Sequence, residues 1–153
     1  GQFTDVTHLA GTHFDLVEGS RGAAFGDVDN DGDTDVLIGN GAGPVRLMQN
    51  HLGAHNHWVG LRLVAQTETG ALHDILGARV AVVRANAETL WRRARTDGSY
   101  ASANDPRVLV GLGDSTTITQ IRVVWPNGRS ETWPSVPLDQ YTTLIVGTGA
   151  YAH

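Results

Sequence analysis

Five aspartates stand at alternate positions, Asp27, Asp29, Asp31, Asp33 and Asp35, within the stretch 25–40 that reads FGDVDNDGDTDVLIGN. No other feature of the chain constrains its fold as tightly. Carboxylates this close repel and, left unpaired, destabilise any compact loop that holds them. A hard divalent cation reverses that sign, because Ca²⁺ accepts about 6–8 oxygen ligands. Written as D-x-D-x-D-G-x-x-D, the loop aims alternate carboxylates at one point, and Gly32 supplies the sharp bend around it. Asp33 then offers its backbone carbonyl and Asp35 closes the shell. The spacing predicts a cage whose charge is cancelled by a bound ion.

The loop also sets the charge balance. The net charge is −5, which these five aspartates supply by themselves; the other 11 acids and 11 basic residues cancel. Acidity is therefore local, and no nucleic-acid partner is expected. All 11 basic residues are Arg, and no function is read from that. The chain has no Cys, which excludes disulfides, thiolate nucleophiles and Cys-based zinc sites. It holds no apolar run near about twenty residues, so no membrane span is expected. No signal peptide is visible. The chain opens on Gly1 and its one Met is Met48, which reads as a piece of a longer product.

Three other readings of the loop compete with the cage. An EF-hand also begins D-x-D-x-D-G, but it needs Glu at its twelfth position and helices on both sides. That position is Ile38, between flanks that look like strands. A haloacid-dehalogenase-like phosphatase needs a long apolar run before the first Asp and many βα units, and neither pattern occurs. A merely solvated acidic turn has no need of an acid at each alternate site with Gly at the bend.

Strand patterns dominate the rest. Residues 58–66, 78–85, 107–113, 118–125 and 141–147 are rich in β-branched and apolar side chains, several alternating in period two. Asn40-Gly41, Thr69-Gly70, Asp97-Gly98, Asp105-Pro106 and Asn127-Gly128 mark turns between them. VVWPNGRSETW reads as a hairpin with Pro126-Asn127-Gly128 at the bend and Trp125 and Trp133 on its arms. Helix is expected, at most, as a turn near 137–140 or 71–75. A polar seam, NHLGAHNHW at 50–58, separates a unit at 1–50 from a second at 56–149.

The stretch RGAAFGDVDNDGDTDVLIGN resembles an FG-GAP or VCBS-type repeat, the blade unit of integrin-α-like β-propellers. The resemblance implies calcium ligands from the side chains of Asp27, Asp29, Asp31 and Asp35 and from the backbone of Asp33. In the second unit, NHWVGLRLV, ILGARVAV, DGSYASANDPRVLVGLG and IRVVWPNGR are similar, in that order, to the ASPIC/UnbV domain. That domain closes cartilage acidic protein and many bacterial FG-GAP proteins. The expected fold is all-β: one propeller-blade-like unit packed with an antiparallel sandwich-like or barrel-like ASPIC/UnbV domain. No role is transferred to His73 or Asp74, where the turn differs from the family's usual one.

Propellers have about 4–8 blades of four strands each, and residues 1–50 supply roughly one. A lone blade leaves both faces uncovered. Packing on the second unit, blades upstream in the parent protein, and a homo-oligomer through open blade edges are the expected remedies.

His51, His55 and His57 have metal-like spacing, but a loop offers little preorganisation and no acidic neighbour is evident, so they read as solvated linker residues. Trp91, Arg92, Arg93, Arg95 and Asp97 have the look of an anion or carbohydrate patch, with surface stacking of Arg on indole as the plainer reading. Trp58, Trp125 and Trp133 read as core or sheet-face residues. Ser99 and Ser102 have no Gly-x-Ser-x-Gly elbow around them, so no enzyme is expected.

The functional expectation is a calcium-binding, secreted, periplasmic or cell-surface β-module that binds an unknown protein or glycan, with structural calcium. A self-assembling structural protein and a carbohydrate-binding accessory domain are the alternatives.

Overall fold

The computed structural model describes residues 1–9, 11–12, 17–52, 55–85 and 87–152. Among these residues, twelve strands carry the fold: β1 (Ser20–Gly26), β2 (Asp35–Asn40), β3 (Arg46–Met48), β4 (His57–Gln66), β5 (Leu72–Asp74), β6 (Arg79–Val83), β7 (Leu90–Arg93), β8 (Val108–Gly113), β9 (Gln120–Val124), β10 (Ser130–Trp133), β11 (Tyr141–Ile145) and β12 (Ala150–Tyr151). Helix among the described residues is confined to 3-10 conformation, in the turn Thr7–Leu9 and at Thr12. The 71–75 segment, expected as a helical turn, contains β5 instead: it pairs antiparallel with the end of β4, and that pairing overrides its weak local preference. No helix of the described residues is long and apolar enough to cross a membrane.

Two sheets enclose the main core. One has the order β12-β10-β9-β6-β7; the other is built on β4. β11 takes one edge of β4, while β8 and then β5 share the opposite edge. Alternate residues of each strand point inward. Val80 and Val82 of β6 and Ile121 and Val123 of β9 meet Val59, Leu61 and Leu63 of β4 and Val108 and Val110 of β8. The sheets form an open sandwich in which every strand pair but one is antiparallel; β11 runs parallel to β4. The 125–133 hairpin forms as its turn residues predict, with the Trp125 and Trp133 rings edge-on at 6.4 Å.

The third sheet, β1-β2-β3, is a simple antiparallel meander. The Asp-rich loop is its first connection, from the end of β1 to the start of β2. This sheet reaches the sandwich through β4, which is buried on both faces over its first half. Its odd residues enter the core. Trp58 and Gly60 point the other way and are nevertheless buried, because Tyr141 and the Asp-rich loop cover them. Gly53 and Ala54, within the expected seam, lie outside the described residues.

Candidate metal centre

The loop folds so that its carboxylates face one another. One ligand oxygen from each of Asp27, Asp29 and Asp35 lies within 4.8 Å of the other two. Asp27 and Asp35 are only 3% and 1% exposed, whereas Asp29 faces solvent. Asp29 and Asp31 form a second such group with His51. Asp33 is buried and gives its amide to Asp31 Oδ1 at 2.9 Å; it belongs to neither group.

Backbone amides fix the buried carboxylates. Asp27 Oδ1 accepts from Asp31 N (3.1 Å), and Asp27 Oδ2 from Gly32 N (3.0 Å). Asp35 Oδ2 accepts from Val28 N (2.8 Å) and Oδ1 from Asn50 N (2.9 Å). A carboxylate offers about four lone-pair sites, so these bonds orient the oxygens and leave acceptor capacity for an ion. Among the described residues no ion pair joins Asp27, Asp29 or Asp35 to an arginine: Arg107 reaches the loop from outside, through Asp27 O and Asn30 Oδ1, and attracts the Asp27 carboxylate only from there. Unit charges about 4–5 Å apart repel by roughly 3–4 kcal/mol at an effective dielectric constant of about 20. Buried, oriented, all-oxygen and uncompensated, the group fits a hard cation.

The outside of the loop is bolted to the sandwich. Tyr141 of β11 donates its hydroxyl to Asp27 Oδ2 at 3.0 Å. Arg107, just ahead of β8, donates to Asp27 O and to Asn30 Oδ1, both at 2.6 Å, and to Asp105 Oδ2 at 2.7 Å. Its guanidinium carbon sits 3.9 Å from the centroid of the Tyr141 ring, and the Trp58 ring lies 5.2 Å from the same centroid. Burial, reinforced by the hydrogen bond to Asp27, pushes the Tyr141 phenol well above its ordinary pKa. Gly32 turns with φ +92°, a conformation that favours glycine, and a Cβ there would overlap the Trp58 indole. The residue at the bend is thus glycine for two reasons, the turn and the close contact.

A neighbouring clasp holds the start of β4. Asp139, at φ 56°, takes Trp58 N on Oδ1 (3.0 Å), faces His57 Nδ1 with Oδ2 (2.8 Å), and returns its own amide to Trp58 O (2.9 Å). The His57 hydrogen bond holds the Asp139 carboxyl below its ordinary pKa. Among the described residues no metal-like group joins the three histidines, although His55 and His57 line one cavity with Asp31. His51 stands beside the acidic loop, 4.0 Å from Asp31, while His57 pairs with Asp139. The reading that no acid orients them fails at His57, because its partner lies 82 positions away.

The segment between β7 and β8 closes the outer edge of β1. Ala23 N donates to Ser99 Oγ (3.2 Å), Phe25 N to Asn104 Oδ1 (3.0 Å), and Asp105 N to Phe25 O (2.9 Å). A Cβ at Gly22 would overlap Ser102 and Tyr100, so this close approach depends on glycine. Between this segment and the loop runs a cleft of about 270 Å³ bordered by Arg92, Arg93, Arg95, Thr34 and Tyr141. Spacing within the Asp motif gives no hint of Tyr141, Arg107, Trp58 or Asn104, because each comes from a distant part of the chain, Tyr141 and Trp58 from strands, Arg107 and Asn104 from the segment between β7 and β8, with Asn104 reaching β1 beside the loop.

Two family models match the chain. One, described as ASPIC and UnbV, covers residues 68–150; the other, an FG-GAP repeat, covers residues 21–54. No curated protein matches it. The acidic loop falls inside the repeat, Arg107 and Tyr141 fall inside the ASPIC and UnbV match, and β4 with Trp58 lies between the two.

Proposed function

The chain belongs to the ASPIC and UnbV family and carries an FG-GAP repeat ahead of that domain, and from this premise we propose a calcium-stabilised module for binding or adhesion, with no catalytic role. Domains of these two kinds are typical of extracellular or cell-surface proteins, and residues 1–50 and 56–149 are read as the two units. Asp27, Asp29, Asp31 and Asp35 would hold the ion by side chain and Asp33 by its backbone carbonyl. Calcium would supply positive charge to the loop and nothing else. Ser99 and Ser102, the serines weighed as nucleophiles, hydrogen-bond to the β1 edge and to Tyr100 O respectively, which supports a non-catalytic reading.

The observation that carries the proposal is the convergence of Asp27, Asp29 and Asp35 oxygens within 4.8 Å, two of them buried. Thermal melts in Ca²⁺, Mg²⁺ and chelator test it. A ligand that binds only the folded state adds about 2.7 kcal/mol at a hundredfold excess over Kd, and extracellular modules bind Ca²⁺ with Kd of about 10⁻⁴–10⁻³ M. A melting temperature that ignores millimolar calcium defeats the proposal.

Self-assembly is favoured by one observation. Leu37 and Leu47 are cross-strand neighbours on the three-stranded sheet, 43% and 45% exposed. Light scattering decides it: a monomer at high concentration removes this reading.

A further inference from the structure

The outer face of the five-stranded sheet carries a cross-strand pattern that packing alone does not call for. Residues directly opposite one another in a ladder share a face. The register therefore sets Arg93 beside Arg79 in one row, and Trp91, Ala81, Arg122 and Thr132 together in the next. Like charges directly opposite destabilise a strand pair, and Arg79 with Arg93 is such a pair. Among the described residues neither of them, nor Arg122, has an acidic partner. No Asp or Glu occupies this face on any of the five strands. Trp91 is 47% exposed, with the Arg79 guanidinium carbon 5.8 Å from its ring centroid. The Nε of Arg122 is buried without a hydrogen-bond partner.

Stacking of Arg79 on Trp91 offsets part of that repulsion, but among the described residues Arg93 and Arg122 have no such contact, and a local rule broken without full compensation points to a functional surface. We propose that this face binds uronate units of an acidic polysaccharide. Arginine's planar fork matches a carboxylate in bidentate fashion, where a lysine would offer only a point charge. An exposed indole offers a flat apolar surface for the C–H face of a sugar ring, and neither a bare phosphate nor an acidic peptide needs one there. Adjacent strands lie about 4.8 Å apart. A polymer laid across them thus follows one row, meeting Arg93 and Arg79, with Trp91 and Arg122 in the row alongside.

The inference names a ligand class for the binding module proposed above and rests on that reading; Arg93 borders the cleft beside the acidic loop, whereas Arg79, Trp91 and Arg122 do not, and the calcium and chelator arms let the two fail separately. Isothermal titration of the full chain with a uronate hexasaccharide, a sulfated hexasaccharide, a neutral hexaglucan and a single-stranded DNA tests it, in calcium and again in chelator. The uronate is expected to bind saturably under both conditions. The Arg79→Gln/Arg93→Gln pair and Trp91→Ala should each weaken it by about tenfold or more, with Arg129→Gln, on the 125–129 turn, as the unaffected control. If the double variant does not fold, Arg93→Lys keeps the charge, loses the fork, and should still weaken binding. No uronate binding, binding that survives these variants, or equal or tighter binding of the sulfated, neutral or nucleic-acid probe overturns the proposal. A calcium-dependent melt without uronate binding sinks this inference alone; uronate binding without a calcium-dependent melt sinks the metal reading alone.

Discussion

Tyr141 and Asp27 stand 114 positions apart in sequence, and the tyrosine hydroxyl donates to the aspartate's Oδ2 at 3.0 Å. This bond joins β11 of the sandwich to the first carboxylate of the acidic loop. It orients an oxygen of the candidate cage from outside the cage, so the geometry of the loop and the docking of the three-stranded sheet depend on each other.

Tyr141→Phe keeps the ring against Trp58 and Arg107 and removes only the hydroxyl. It should lower stability by about 1.5–3 kcal/mol, the range for a hydrogen bond to a charged acceptor, measured by urea denaturation. The phenol also carries a pH signature. Its folded pKa lies above its unfolded value of 10.0, so its contribution is fully present below about pH 10 and is lost as pH rises beyond that. Ultraviolet titration should show a late-ionising phenol that the Phe variant lacks; a variant spectrum identical to wild type would contradict the buried bond.

Gly32→Ala puts a methyl group into the Trp58 indole and forces a non-glycine residue to φ +92°. A destabilisation of roughly 2–4 kcal/mol is expected from strain and overlap together. Trp58 fluorescence should shift to the red as the loop lifts from the sandwich. A variant as stable as the parent would mean that the loop does not rest on that ring.

Asp29→Asn separates repulsion from ligation. Asp29 faces solvent and, among the described residues, its carboxylate accepts from Gln49 Nε2 at 3.2 Å. Removing its charge relieves the loop, so in chelator the variant should melt above wild type, by about 1 kcal/mol in stability. In millimolar calcium the order should invert, because a ligand is gone. Paired calorimetric scans check the crossing; two curves that keep the same order in both buffers would refute it.

Asp139→Asn tests the clasp on β4. Asn tolerates the left-handed backbone at φ 56° and keeps an acceptor for Trp58 N, so the substitution removes mainly the charge opposite His57. The folded pKa of Asp139 is depressed below 3.8. Its contribution is therefore present above about pH 4 and lost as pH falls through the lowered value. Wild type should be the more stable protein near neutrality, with the gap closing below about pH 4 in acid denaturation curves.

What the sequence revealed was whatever depends on near neighbours. The Asp27–Asp35 spacing, the bend at Gly32 and the Trp125/Trp133 hairpin are set within a dozen residues, and each was readable. The period-two runs located β4, β6, β8, β9 and β11. Trp58 was readable as buried but not as the floor beneath the loop, because β4 is apolar on both faces and a period cannot say what covers the second one. Tyr141, Arg107 and Asp139 were invisible for the same reason: a polar residue at the end of a strand looks solvated until the chain brings its partner back from 80 or more positions away. β5, taken for a helical turn, is three residues long and becomes a strand only by borrowing the edge of β4.

Ser99, Asn104 and Asp105 occupy the hydrogen-bonding side of β1, while among the described residues β3 keeps its outer side unpaired. The three-stranded sheet can thus be extended from one end only. Two copies meeting β3 to β3 would exhaust each other's free edge about a twofold axis, and growth would stop at the dimer rather than run on into a filament.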